Sequence, residues 1–163
     1  MTHSTMGGMH LVSALAAILL GALVVVLPKG RAPHRLLGLA YSFAMLMTCT
    51  SALLLYGMTG HFGLFHFFAV LSLTNVVMGV TQAILRRGDW MRRHLIWMGW
   101  SYLGLLAAAA TEASIRLPIF NHLTNGETFA LGGGIATMIL IAGRAMMPRW
   151  TRKALENYAA ARV

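Results

Sequence analysis

Five long, almost uncharged apolar stretches restrict the fold of this chain more than any other feature. They lie at about residues 9–27, 35–57, 64–85, 94–115 and 127–147. A helix needs about 20 apolar residues to cross roughly 30 Å of hydrocarbon, so each stretch is long enough to span a bilayer. Only 10% of the residues are charged, whereas a soluble domain needs about a quarter. The sequence therefore predicts an all-α integral membrane bundle of five transmembrane helices.

The residues between the stretches support this division. Four prolines, Pro28, Pro33, Pro118 and Pro148, lie at predicted span boundaries, where a missing N–H is tolerated. Thr124 and Glu127 have the spacing of a capping box at the start of the fifth span. We predict one transmembrane domain, residues 1–147, whose first span is not a cleaved signal peptide. A basic tail, residues 148–163, forms either a helix lying at the membrane interface or a partly disordered segment.

The basic residues predict the orientation of the chain. Of the 13 Lys and Arg residues, 12 lie between spans one and two, between spans three and four, or at and beyond the end of span five. Only Arg116 falls on the other side. The positive-inside rule then predicts an outer N-terminus and a cytoplasmic C-terminus. The positive charge, +9 in total, thus indicates the topology of the chain and is suited to contact with anionic lipid. It gives no indication of nucleic-acid binding.

Four histidines open four successive spans. They are His10, His34, His66 and His94. Successive spans run in opposite directions, so His34 and His94 are expected on the inner side and the other two on the outer side. Two imidazoles from facing helices are suitable axial ligands for a six-coordinate haem iron. Alternatively, each histidine is an interfacial residue at a span boundary.

Arginines beside the inner histidines suit the propionates of a haem. Arg35 follows His34 and Arg93 precedes His94. Guanidinium groups bind carboxylates through charge-assisted hydrogen bonds. The pattern predicts a haem b with His34, His94, His10 and His66 as ligands and Arg35 and Arg93 as the cofactor-binding cations.

Glu112 is the one acidic residue that the sequence places deep in a span. It lies 18 residues, or five helical turns, after His94, and its depth matches that of His10 and His66. Two histidines and a carboxylate form a common ligand set for zinc or non-haem iron, which would make Glu112 a catalytic residue. His61 and His122 can complete such a site, and the methionines and histidines of the first ten residues suit copper. The simpler interpretation of Glu112 is a carboxyl group bonded to a neighbouring helix.

Three segments give the chain a family resemblance. They are Lys29-Gly30-Arg31-Ala32-Pro33-His34-Arg35-Leu36-Leu37-Gly38, Phe65-His66 and Arg93-His94-Leu95-Ile96-Trp97-Met98. Over about residues 8–118 they resemble predicted bacterial membrane proteins grouped as domain of unknown function 2306. Leu95 departs from that pattern, in which Arg is usual. The resemblance implies a bacterial inner membrane protein and supports His34, His66 and His94 as a set, without implying an activity. A looser resemblance, to two-haem transmembrane cytochromes b, rests on the histidine pattern alone.

Three hypotheses about function follow. The first is a cytochrome b-like protein that carries electrons in or across the bilayer, with a quinone or a redox protein as partner. The second is a zinc- or iron-dependent membrane enzyme with an outer site of His10, His66 and Glu112. The third is a non-catalytic accessory or assembly subunit of a membrane complex. Whether the chain is an enzyme, and whether it forms a homo-oligomer, stay open at this stage.

Overall fold

The computed structural model describes residues 5–55, 64–120 and 122–160. Five α-helices and one short 3-10 helix account for nearly all of this part of the chain, and it contains no strand. They are α1 (Thr5–Val26), α2 (Ala32–Leu54), α3 (Leu64–Leu85), α4 (Trp90–Arg116), the 3-10 turn Pro118–Phe120, and α5 (Asn125–Ala160). The predicted all-α fold with five long helices is confirmed.

Local sequence signals explain where several helices begin. Pro33 lies in the first turn of α2, where its missing N–H needs no partner. The predicted capping box is present, because Glu127 N donates to Thr124 Oγ1 (3.3 Å) and Thr124 N donates to Glu127 Oε2 (2.8 Å). Gly30, with φ +82°, lies in the turn between α1 and α2, in a backbone conformation that side chains disfavour.

Four helices are long and apolar enough to cross a membrane: α1, α2, α3 from Phe65, and α5 from Gly126. Large apolar side chains project from them into the surroundings, including Val26, which is 77% exposed, and Met138, which is 71% exposed. Exposed apolar surface of this kind is what lipid covers. The structure therefore supports a multi-pass membrane protein in contact with the bilayer.

The helix α4 is the central element of the bundle. No residue from His94 to Glu112 is exposed, because α1, α3 and α5 all pack against this helix. Trp, Tyr, Ser and Gly residues lower its hydropathy, and by this measure it falls outside the set of spanning helices. A helix enclosed by other helices does not need a lipid-facing surface, so its composition follows from its position.

The end of the chain differs from the predicted boundary at residue 148. Instead of stopping near Pro148, α5 continues to Ala160 as one helix of 36 residues, about 54 Å long. A proline removes only one backbone hydrogen bond, to the carbonyl four residues earlier. Beyond it, Thr151 and Ala154 are buried, and Ala154 packs with Met91 and Leu95 of α4. The tail through Ala160 is therefore a packed extension of α5.

Candidate functional site: a cavity at the basic end

Two loops and the end of α5 meet at one end of the bundle, which we call the basic end. The Lys29 ammonium lies 5.6 Å from the centre of the Trp150 ring, and the Arg86 guanidinium lies 5.4 Å from that of Trp90. The rings of Trp90 and Tyr158 meet edge to face, with centroids 6.2 Å apart. The α1–α2 loop, the α3–α4 loop and the C-terminal part of α5 are thus tied together by cation–π and aromatic contacts.

A cavity of about 740 Å³ opens at this end between the helices, and we call it the basic-end cavity. Its walls are mostly apolar, and both His34 and His94 line it. The charged groups that line it are Lys29, Arg35 and Arg86, so all of them are cationic. Its size and its few converging polar groups are typical of ligand-binding cavities.

The register of α2 and α4 brings the two histidines to the same depth. Both helices begin at the basic end and run parallel. One hydrogen bond joins them, between the Tyr41 hydroxyl and Ser101 Oγ (2.7 Å). Tyr41 is its donor, because the Ser101 hydroxyl donates its own proton to the Met98 carbonyl. His34 precedes Tyr41 by seven residues, and His94 precedes Ser101 by seven. Seven residues are almost two full turns, so each histidine shares a helix face with the residue that joins the two helices. Both histidines therefore lie about 10 Å from that contact, toward the basic end, and both line the cavity.

The hydrogen bonds of His94 leave one ring nitrogen able to coordinate a metal. Nδ1 lies 2.8 Å from the carbonyl oxygen of Gly79 on α3. A carbonyl only accepts, so we assign the proton to Nδ1, which leaves the lone pair on Nε2. A backbone acceptor that fixes the second nitrogen is the usual arrangement for metal-ligating histidines.

The second imidazole, His34, has an unsatisfied nitrogen. Its Nδ1 is buried and has no hydrogen-bond partner among the residues that the structure describes. The ring also interacts with the backbone carbonyl of Val24 on α1. A buried polar atom without a partner is unfavourable, and this one can bind a group that enters the cavity.

Lys29 provides a fixed positive charge beside both imidazoles. It is 8% exposed, and its ammonium donates to the carbonyls of Val24 (2.8 Å), Val25 (2.7 Å) and Leu27 (3.2 Å) at the end of α1. Burial lowers the pKa of Lys29 to about 8. Its charge lies close enough to act on His34 and His94.

Of the two arginines that the sequence assigned to a haem, Arg35 lines the cavity and Arg93 does not. Arg93 instead donates to the backbone carbonyl of Arg87 in the α3–α4 loop. Arg86 lines the cavity in its place. Trp150 and Tyr158 were also missed, because only the continuation of α5 past Pro148 brings them to the cavity.

At the opposite end of the bundle, the predicted outer histidines have a different environment. His10 Nδ1 lies 3.1 Å from the Thr48 carbonyl and 3.0 Å from Ser51 Oγ, so its imidazole joins α1 to α2. His66 is 4% exposed, on α3. The outer haem pair of His10 and His66 stays a prediction from sequence.

The predicted outer metal site is also dispersed. Glu112 is half-buried near the end of α4, and His122 is exposed. Within the described ranges 5–55, 64–120 and 122–160, no three His, Cys, Asp or Glu side chains form a group able to hold a metal ion. His10, His66 and Glu112 are therefore not gathered into one site there. His61 and the first four residues lie outside the described ranges.

Comparison with known proteins confirms the family resemblance. The model of the family described as predicted membrane protein, domain of unknown function 2306 (DUF2306), matches residues 7–150. No curated protein and no solved structure matches the chain significantly. The match covers all five helices, up to Trp150 of α5. The chain therefore belongs to the DUF2306 family of predicted membrane proteins.

Proposed function

We propose that this protein is a cytochrome b-like electron carrier that binds one haem b in the basic-end cavity, with His34 and His94 as axial ligands. One observation carries the proposal: two imidazoles on register-matched faces of α2 and α4 line the same cavity. Two parallel helices thus offer one ligand each, at equal depth, to a group lying between them.

The donor set suits haem iron. Bis-imidazole ligation needs one lone pair from each ring, and the second nitrogen of a ligating ring is normally held by a backbone carbonyl. His94 meets this requirement through Gly79. His34 has an unpartnered Nδ1 within the described structure, and its ring interacts with the backbone of Val24. The iron of a bound haem would supply reversible one-electron chemistry, and the protein residues would set its potential.

The remaining walls suit the other parts of a haem. The cavity volume of about 740 Å³ falls within the ~300–1,000 Å³ typical of small-molecule and cofactor sites. Apolar and aromatic side chains such as Met98, Tyr102 and Trp150 would contact the macrocycle. Arg35 and Arg86 would bind its two carboxylates, and no acidic side chain among the described residues lines the cavity to oppose them.

Electron transfer would take place near the basic end. By the positive-inside rule that end would face the cytoplasm, and the proposed haem would be the inner one. The rings of Trp150 and Tyr158 cover the cavity on the α5 side and would limit access of water to the iron. A quinone in the bilayer or a redox protein at the cytoplasmic face would be the other reactant. The proposal includes a single haem, because His34 and His94 line the basic-end cavity, whereas His10 and His66 do not line it.

A visible spectrum tests the proposal. We expect the protein, expressed with added haem precursor and purified in mild detergent, to show a Soret band and a sharp α-band on reduction, with one haem per chain. His34→Ala and His94→Ala should each remove the sharp α-band. His122→Ala is the matched control, because it removes an exposed imidazole away from the cavity. A wild-type protein that folds and takes up no haem would refute the proposal.

A further inference from the structure

A second cavity lies between α4 and α5, and we call it the α4–α5 cavity. It measures about 490 Å³ and contains three arginines, Arg92, Arg144 and Arg152, together with Trp100 and Thr151. Arg92 and Trp100 are eight residues apart and share a face of α4 that differs from the one bearing His94. No residue of the basic-end cavity lines it, so it is a separate site.

Thr151 gives the first indication of a ligand. Six Ser and Thr residues are buried in the described structure, and five of them donate to a backbone carbonyl three or four residues earlier. These five are Thr48, Ser51, Ser101, Ser114 and Thr128. Thr151 is 4% exposed, and its Oγ1 has no partner among the described residues. Its hydroxyl is therefore available to a group that enters the cavity.

Arg144 gives the second indication that this cavity binds a ligand. It lies seven residues before Thr151, about 10 Å further from the basic end. Its neighbour Gly143 packs against Leu103, in the middle of α4. A guanidinium at this depth is expensive in a membrane, and such residues reach toward the interface or pair with an anion. The described residues give Arg144 no ion pair.

The other two arginines, Arg92 and Arg152, add positive charge, and each has an acidic neighbour that neutralises it only weakly. Arg92 lies 3.9 Å from Asp89, and Arg152 lies 3.9 Å from Glu156, in exposed pairs. Exposed ion pairs of this kind contribute little, so both guanidinium groups can still attract an anion. Ile96, Met147 and Leu155 line the rest of the cavity.

We propose that the α4–α5 cavity binds the phosphodiester headgroup of an anionic phospholipid. Arg144 and the Thr151 hydroxyl donate to the phosphate oxygens, Arg92 and Arg152 supply further charge at the rim, and the apolar residues contact the acyl chains. Basic pockets between helices at the cytoplasmic side of a membrane are suited to anionic lipid headgroups. The site does not depend on haem binding.

Lipid titration followed by native mass spectrometry tests this site. The intact protein in detergent is titrated with dioleoyl phosphatidylglycerol, with dioleoyl phosphatidylcholine and with inorganic phosphate. We expect phosphatidylglycerol to bind at least about tenfold more tightly than phosphatidylcholine. Arg144→Gln should weaken the first phosphatidylglycerol bound by about tenfold, because it removes a charge-assisted hydrogen bond, and Thr151→Val by about threefold to fivefold.

Arg149→Gln is the matched control. It removes the same charge from the same helix, five residues nearer the basic end, at an exposed position that lines neither cavity. We expect it to change the affinity less than twofold. If the Arg144 and Arg149 variants lose the same affinity for phosphatidylglycerol, the lipid is attracted by basic charge in general, and the proposal would be overturned. Competition by inorganic phosphate at the affinity of the lipid would also overturn it, since the site would then bind phosphate itself.

Discussion

The two ends of the bundle carry histidines in the same sequence pattern but in different environments. At the basic end, His34 and His94 line a cavity, and each has a ring nitrogen without a described protein partner. At the opposite end, His10 is held by the carbonyl of Thr48 and the hydroxyl of Ser51. His94 is likewise held by the Gly79 carbonyl of α3, so the difference between the two ends is the cavity that His34 and His94 line.

This contrast gives a physical criterion for selecting candidate ligands among the histidines of a membrane bundle. A polar ring in an apolar medium needs partners, and neighbouring helices usually provide them. Where α2 provides them, His10 stabilises the contact between α1 and α2. Where the helices part around a cavity, as at His34, the partner would be a bound group.

The largest expected effect comes from filling the basic-end cavity. Gly38 lines that cavity, and a Cβ placed on it meets no atom within 4 Å. Gly38→Leu should therefore fold, yet reduce the haem content at least about tenfold, because the added side chain occupies the ligand volume. Gly133→Leu is the control, since Gly133 is equally unobstructed but lies away from the cavity. Equal haem in the two variants would contradict the assignment of the cavity.

The next largest effect separates the two classes of histidine by stability. His10→Ala should lower the free energy of unfolding by about 1 kcal/mol, because it removes a hydrogen bond between α1 and α2. His34→Ala in the haem-free protein should lower it less, because Nδ1 of His34 has no described partner to lose. Reversible unfolding in mixed micelles measures both. A greater loss for His34→Ala would reverse the comparison.

A smaller effect is expected at the contact that sets the register of α2 and α4. Tyr41→Phe removes the hydroxyl that donates to Ser101 and leaves the ring in place. Interhelical hydrogen bonds in membranes average about 0.6 kcal/mol, so the loss of stability should be about that size. The haem α-band should broaden or shift as the two ligands lose their fixed spacing. Thr111→Val, which loses a bond from α4 to the Gly132 carbonyl of α5 and lines neither cavity, is the control expected to leave the band unchanged.

A further effect concerns pH and Lys29. Its pKa in the folded protein, about 8, lies below its ordinary value of 10.5, so the folded protein releases this proton first as pH rises. The unfolded chain binds more protons between these values, and the free energy of unfolding should therefore rise from about pH 8 to pH 10.5. Lys29→Met should lack this rise. If the free energy of unfolding rises equally in the wild type and in Lys29→Met, a group other than Lys29 causes the rise.

Much of the fold follows from the sequence. Apolar length predicts the five helices, and the spacing of Thr124 and Glu127 predicts the start of α5. The continuation of α5 past Pro148 was missed, because it depends on burial of Ala154 against α4, a contact that the local proline signal does not contain. The central position of α4 was also not apparent, since it results from packing by three other helices.

The candidate site was predictable in part. The alternation of histidines predicted His34 and His94 as a pair, and the structure places both at the basic-end cavity. Arg93 was chosen because it adjoins His94 in sequence, but adjacent residues on a helix point about 100° apart. Arg86, from the α3–α4 loop, reaches the cavity instead. The unsatisfied Thr151 hydroxyl has no signature in the sequence at all.

Chemical rescue by imidazole tests the central claim most directly. His34→Gly and His94→Gly are each loaded with haem, and the reduced spectrum is recorded with increasing imidazole. The account predicts that each variant loses the sharp six-coordinate α-band and that added imidazole restores it in both, whereas His10→Gly keeps the band throughout. A band that persists in both His34→Gly and His94→Gly without imidazole would contradict the account, because the iron would then have its ligands elsewhere.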